Sequence, residues 1–298
     1  MNPKKLSIAF VLFVITALSQ TSFAQGLNWE GQTGALLTPF AYTAASPAAR
    51  FGKPEVSFHY LNSGPVVGND YQFSITEGLA KYFEFGFTQA FSSSGSGPLT
   101  NLFSNGFSEF HGKLTIVPEN AHKSKWVPAI AVGAIGRSGI QRVGSSYFGN
   151  PRPGATAHNG DFYIVATKAI TQTKLPIVLN LGDKVTNASV FGVAGNAQNF
   201  QGRLFGAAAF VLKGPARSAL IFGAEVAQQP HYVEGLPRTA TIPTSESYFV
   251  RVVPHLKGSP LQVDLGVAHL AGRIVNIPGS VIDLQATARV GMGISYHF

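Results

Sequence analysis

The sequence predicts an all-β chain, a closed antiparallel transmembrane β-barrel of about twelve strands. Three observations predict it. Past residue 54 apolar residues recur at every second position in stretches of about ten residues, with no convincing 3.6-residue period. Compact and extended connections alternate along the chain, as they do where strands are joined by short turns on one side of a membrane and longer loops on the other. The terminal run GMGISYHF sets Met292, Ile294, Tyr296 and Phe298 on one face of a strand and has no polar tail behind it.

In chain order, Lys4 and Lys5 precede the apolar stretch LSIAFVLFVITAL, and Ser22 and Ala24 supply the small residues of a cleavage site. Residues 1–24 therefore read as a secretory signal peptide, because the apolar run is shorter than the ~20 residues a membrane-spanning helix needs. Residues 25–53 form an N-terminal periplasmic or lumen segment, and 54–298 the barrel. The expected strands are 54–61, 69–76, 82–91, 106–117, 126–136, 161–171, 174–183, 200–213, 216–226, 245–255, 259–269 and 284–298. Between them EGLAK, PENAHKSK, TQ, GP and KGS are compact. The longer segments near 62–68, 92–105, 137–160, 184–199, 227–244 and 270–283 are rich in Gly, Asn, Ser and Pro. Both barrel ends then fall on the periplasmic side.

Each strand shows two faces. Phe83, Phe85 and Phe87 alternate with Glu84, Gly86 and Thr88, and a carboxylate facing lipid is unfavourable, so Glu84 must look inward. The same parity directs Glu109, His111, Lys113, Lys168, Arg203, Glu225, Arg251, Asp264 and Arg289 to the lumen, with Glu55, His59, His255 and His297. Both signs are present, which suits either a polar pathway or an interior in which charges neutralise one another. Tyr296 and Phe298 belong to a periplasmic aromatic girdle with Trp126, Tyr82 and Phe83.

Composition narrows the function classes. The formal charge of +8 on 298 residues includes Lys4 and Lys5, only 12% of residues are charged, and no basic run occurs, so nucleic acid is not an expected partner. Cys is absent, which excludes disulfides, thiolate metal sites and a lipoprotein anchor. The histidines are scattered without metal-ligand spacing, and the glycines of VGAIGRSG and VFGVAGN open no helix, so no cofactor is expected. A hydrolase needs a Ser paired with a His. His122, Lys123, Ser124 lie in an expected periplasmic turn. His158 and His231, with Ser145, Ser146, Ser245 and Ser247, lie in or beside external loops without a spacing that selects a pair. No enzymatic activity is read from the sequence.

The ending, alternate apolar positions closed by Phe298, resembles the terminal signature of bacterial outer-membrane proteins. That resemblance implies outer-membrane localisation, contact with its lipid, and an assembly signal at Tyr296 and Phe298 read by the barrel-assembly machinery. The stretch NWEGQTGALLTPFAYTA, with Trp29, Gly31, Thr33, Gly34, Thr38 and Pro39 in a W-x-G-x-T-G-x-x-x-T-P pattern, resembles the opening of the YjbH-like barrels associated with exopolysaccharide secretion. The likeness thins after about residue 183. It implies an accessory of envelope polysaccharide transport, beside the pore for small solutes. A structural or adhesive barrel acting through its loops is the alternative, and an outer-membrane lipid hydrolase a more distant one.

Overall fold

The computed structural model describes residues 26–93, 106–139, 158–193, 195–215, 218–231, 242–254, 260–270, 273–277, 280–283 and 288–298. The expected signal peptide lies outside them. Twelve strands close into one antiparallel barrel: β1 (Glu55–Asn62), β2 (Asn69–Leu79), β3 (Phe83–Ser93), β4 (Ser108–Val117), β5 (Ala129–Ser138), β6 (His158–Ile170), β7 (Ile177–Ala188), β8 (Asn196–Lys213), β9 (Ala219–Ala227), β10 (Ser245–Val253), β11 (Leu261–His269) and, after a separate hairpin of β12 (Arg273–Ile277) and β13 (Ser280–Asp283), β14 (Arg289–His297). Sequential strands pair in order, and β14 closes the wall between β11 and β1, in register from Glu55 opposite His297 to Leu61 opposite Gly291. Closure leaves no strand edge whose backbone groups would meet hydrocarbon unpaired.

Each of the twelve expected strands has its counterpart in the wall. The compact connections all fall at one end, where Pro54 and Phe298 also meet through a Phe298 N–H to Pro54 carbonyl bond of 3.2 Å. The β2–β3 connection is tight, and Ala80 and Lys81 hold φ of 53° and 70°. That left-handed pair matches the twist of the flanking strands, although neither residue is the Gly or Asn such hairpins favour.

One boundary is corrected. The alternation predicted a single strand over 284–298, but β14 begins at Arg289, directly after Ala288 with φ 52°. Its partner sets the limit. The β11 ladder ends with Ala268 opposite Arg289, and β12 and β13 pair with each other rather than with the wall. Residues 284–287 lie outside the described part.

Burial is inverted relative to a water-soluble protein. Phe73, Phe91, Phe110, Phe162, Leu181, Leu204, Leu265 and Val290 are exposed on the outer face, whereas Glu84, Glu109, Lys113, Arg137, Asp161, Glu225, Arg251 and Asp264 are buried inside. An apolar outer belt over a charged interior is stable where the surrounding solvent is hydrocarbon.

Candidate functional site: the occupied lumen

The lumen is filled by the N-terminal segment. Residues 26–44 run from Gly26, beside Arg251 and Gln262, up to a turn at 28–32 and back to Ala44, beside Glu84. The turn follows from local chemistry. The Asn28 side-chain oxygen accepts from Glu30 N (3.0 Å) and Gln32 N (2.8 Å), the arrangement that makes Asn a turn former. Gly31 sits at φ 80° where a Cβ would collide with Thr88 and Ser74 of the wall. A second loop closes with Ala35 N to Thr38 O (2.9 Å) and Phe40 N to Thr33 O (3.0 Å).

Among the described residues the backbone-to-backbone bonds of 26–44 stay within the segment, and the barrel holds it mainly through wall side chains. Glu84 of β3 accepts from the Thr33 N–H and hydroxyl and from Ala44 N (2.7 Å), and pairs with Lys113 of β4 at 2.9 Å. Lys113 in turn donates to Thr33 O (2.9 Å). Glu225 of β9 accepts from Leu37 N (2.7 Å), Thr38 N (2.9 Å), the Thr38 hydroxyl (2.8 Å) and the Ser247 hydroxyl (2.7 Å). Arg251 of β10 pairs with Asp264 of β11 at 2.7 Å and donates to the Gly34 and Ala35 carbonyls at 2.8 and 3.2 Å. Thr167 receives Ala41 N at 2.7 Å, and Asn180 donates to Pro39 O at 3.0 Å.

The opening motif therefore acts as a unit inside the barrel. Trp29 packs in the core 6.2 Å from the His59 ring, Gly31 makes the turn, Thr33 and Thr38 bind the two wall carboxylates, and Gly34 and Pro39 offer their carbonyls to Arg251 and Asn180.

The far half of the segment meets a denser charge cluster. Arg137 of β5 bonds Glu30 of the segment, Glu109 of β4 and Asp161 of β6 (both 2.9 Å), and Asn159 (3.2 Å). Buried charges persist only when paired and hydrogen-bonded. The void bordered by Glu30, Leu37, Thr38, Asp161, Tyr163 and Lys184 is about 10 Å³, at the lower limit of what a water needs.

Of the residues singled out from the sequence, Glu84, Glu109, His111, Lys113, Glu225, Arg251 and Asp264 lie buried in the lumen. His111 is 3.5 Å from the Thr76 hydroxyl. Lys168 is placed differently: it shares the parity of outward Phe162 and Ile164, and its ammonium bonds Glu119 (3.0 Å) and Asn120 (2.7 Å) at the short-turn rim. Arg203 serves the opposite mouth, donating to Gln229 O at 2.8 Å, and Arg289 is half-buried where β14 opens. Tyr296 and Phe298 face outward with ring centroids 4.9 Å apart. Sequence reasoning missed Arg137, Asp161, Lys184 and Glu30. Arg137 and Lys184 lie one residue beyond the expected strands 126–136 and 174–183, where longer alternation was the available signal, whereas Asp161 opens the expected strand 161–171 on the parity opposite Lys168, so that strand was read with its faces exchanged.

The serines considered for hydrolysis are otherwise engaged. Ser245 donates to Leu270 O (2.8 Å) and Ser247 to Glu225, both fully buried, while Ser145 and Ser146 lie outside the described residues. At the short-turn rim the Tyr42 hydroxyl donates to Glu119 (3.0 Å); burial first, then that carboxylate, raises the phenol above its ordinary pKa.

No protein-family model and no curated protein matches the chain. Solved structures similar to it include an outer membrane channel from Pseudomonas putida F1, at 12% identity and TM-score 0.48 over 88% of this chain and 100% of that one. The KdgM porin in complex with disordered oligogalacturonate is similar at 10% identity and TM-score 0.44, over 82% and 99% of the two chains. LpxR from Salmonella typhimurium is similar at 9% identity and TM-score 0.45, over 82% and 100%. At such scores no residue's role is carried across from these structures.

Proposed function

We propose that this chain is an exported outer-membrane barrel whose lumen is a pathway for small solutes, held shut by residues 26–44. One observation carries the reading: the segment that fills the lumen contributes nothing to the wall. The barrel closes through its own strand pairs, and residues 26–44 are attached mainly by wall side chains acting on segment backbone and hydroxyls, with the Arg137–Glu30 ion pair and the Thr43 hydroxyl on Lys81 O beside them. Withdrawing the segment would break no wall hydrogen bond, and it would leave Glu84, Lys113, Glu225 and Arg251 lining a polar bore that water can fill. With twelve strands the bore lies between barrels that wall side chains fill and barrels that hold an open channel, so without the segment it would have room for water. The connection to envelope polysaccharide rests on the resemblance of residues 28–44 and enters as one class of solute to try.

Planar-bilayer recording tests this. The chain lacking residues 26–44, checked for folding by its heat-modifiable gel mobility, is expected to give steady unitary currents, and the full chain none or rare brief openings. Silence from both, with the shortened chain folded, would favour the structural or adhesive reading.

A further inference from the structure

Where residues 41–45 leave the lumen, a pocket of about 250 Å³ opens at the short-turn mouth. Its walls are fixed. Thr115 donates to Ala41 O (2.7 Å), Thr43 donates to Lys81 O (3.0 Å), and Tyr42 is tied to Glu119 (3.0 Å). Glu55, Lys81, Tyr82 and His297 complete the lining. The remaining acid, Glu119, is saturated by Tyr42, Lys168 and Ala169 N. Glu55 is not. It is 3% exposed, yet it accepts no hydrogen bond and forms no ion pair within 4.0 Å among the described residues. A carboxyl group that no protein donor serves takes its donors from what fills the pocket, water or a solute.

We propose that this pocket binds one sugar ring, with the Glu55 carboxylate accepting from its hydroxyls and the Tyr42 and Tyr82 rings covering its apolar face. The volume equals about eight waters at ~30 Å³ each, room for a single ring. The lining combines what a polyol uses: a carboxyl group, donors at Lys81 and His297, and half-exposed aromatic surface at Tyr82. A metal or diamine is a poorer match, because Glu55 is the one acid lining this pocket without a protein partner and Lys81 shares the pocket. An anion would face Glu55 itself. The inference does not depend on conduction, since the pocket stands outside the sealed part of the lumen.

The test is calorimetric titration of the folded full chain in a detergent without a sugar headgroup, with methyl α-glucopyranoside, methyl β-galactopyranoside and 1,4-diaminobutane as probes. Saturable millimolar binding of at least one glycoside is expected, weakened about tenfold or more by Glu55→Gln and by Tyr82→Ala. Tyr82 is half-exposed, so its variant keeps the test alive if Glu55→Gln fails to fold. Binding of the diamine alone, no glycoside binding, or glycoside binding unchanged in folded variants would each overturn the proposal.

Discussion

Arg137 shows how much of this interior depends on single side chains. Its guanidinium is the shared partner of Glu30, Glu109 and Asp161, all buried, so Arg137→Met would strand three carboxylates around a thioether. Breaking a buried pair by removing one partner is destabilising by about 3 to 5 kcal/mol. A fall of that size is expected in the urea-unfolding free energy, against about 0.5 kcal/mol or less for Arg203→Met at the open mouth. Glu225→Ala belongs to the same scale but has a different reach: it leaves Leu37 N and Thr38 N without acceptors, at roughly 1 to 3 kcal/mol per unsatisfied group. Because those groups sit on the lumen segment, the expected result is intermittent conductance from a folded barrel. A barrel that unfolds outright would show that Glu225 supports the wall rather than the closure. Glu84 was legible as inward because a phenylalanine flanks it on each side. Arg137 was not, because the apolar run appeared to end at Gly136 and the next residues resemble a loop.

Strands were the most readable elements, since a half-buried strand must alternate and a barrel strand alternates over about ten residues. Their ends were less readable. β6 and β7 extend to His158 and Ala188 because each has a partner that far, as Arg137 opposite Asn159 and Asp161 opposite Thr186 show. β14 begins where its ladder with β11 does, at Arg289 opposite Ala268. Pairing, which one sequence does not display, decides length. For residues 25–53 the sequence left two places open, periplasm or lumen, and could not choose: residues 26–44 have no period, and their fit depends on side chains from β3, β9 and β10 far along the chain. At the closing strand, Phe298 is exposed beside Tyr296 on the outer face. Charge at the membrane interface costs only about 0 to 1 kcal/mol on a lipid-facing site. Phe298→Asp is therefore expected to leave the unfolding midpoint of refolded barrel nearly unchanged, while lowering assembled, heat-modifiable protein in cells far more than Asn150→Asp does. Equal assembly of the two variants would make the terminal Phe incidental.

For the whole molecule, both barrel ends and all compact connections share one rim, so sidedness is a single choice. With that rim on the periplasmic side, protease added to intact cells should cut within 137–160 or 227–244 and spare 118–125; the reverse pattern would invert the orientation. The folded molecule is a closed wall with its own N-terminal segment inside. The chain has no cysteine, so one introduced thiol reports one place. Ala35 is fully buried in the lumen, and Lys125 is exposed in the rim turn. Ala35→Cys adds one sulfur and disturbs no charge. In the folded barrel, with a small water-soluble maleimide accessible to both rims, Ala35→Cys should stay unlabelled while Lys125→Cys reacts to completion, and should label fully once the barrel is heat-unfolded. Labelling of Ala35→Cys in folded protein as fast as Lys125→Cys would place the segment outside the lumen and contradict the account.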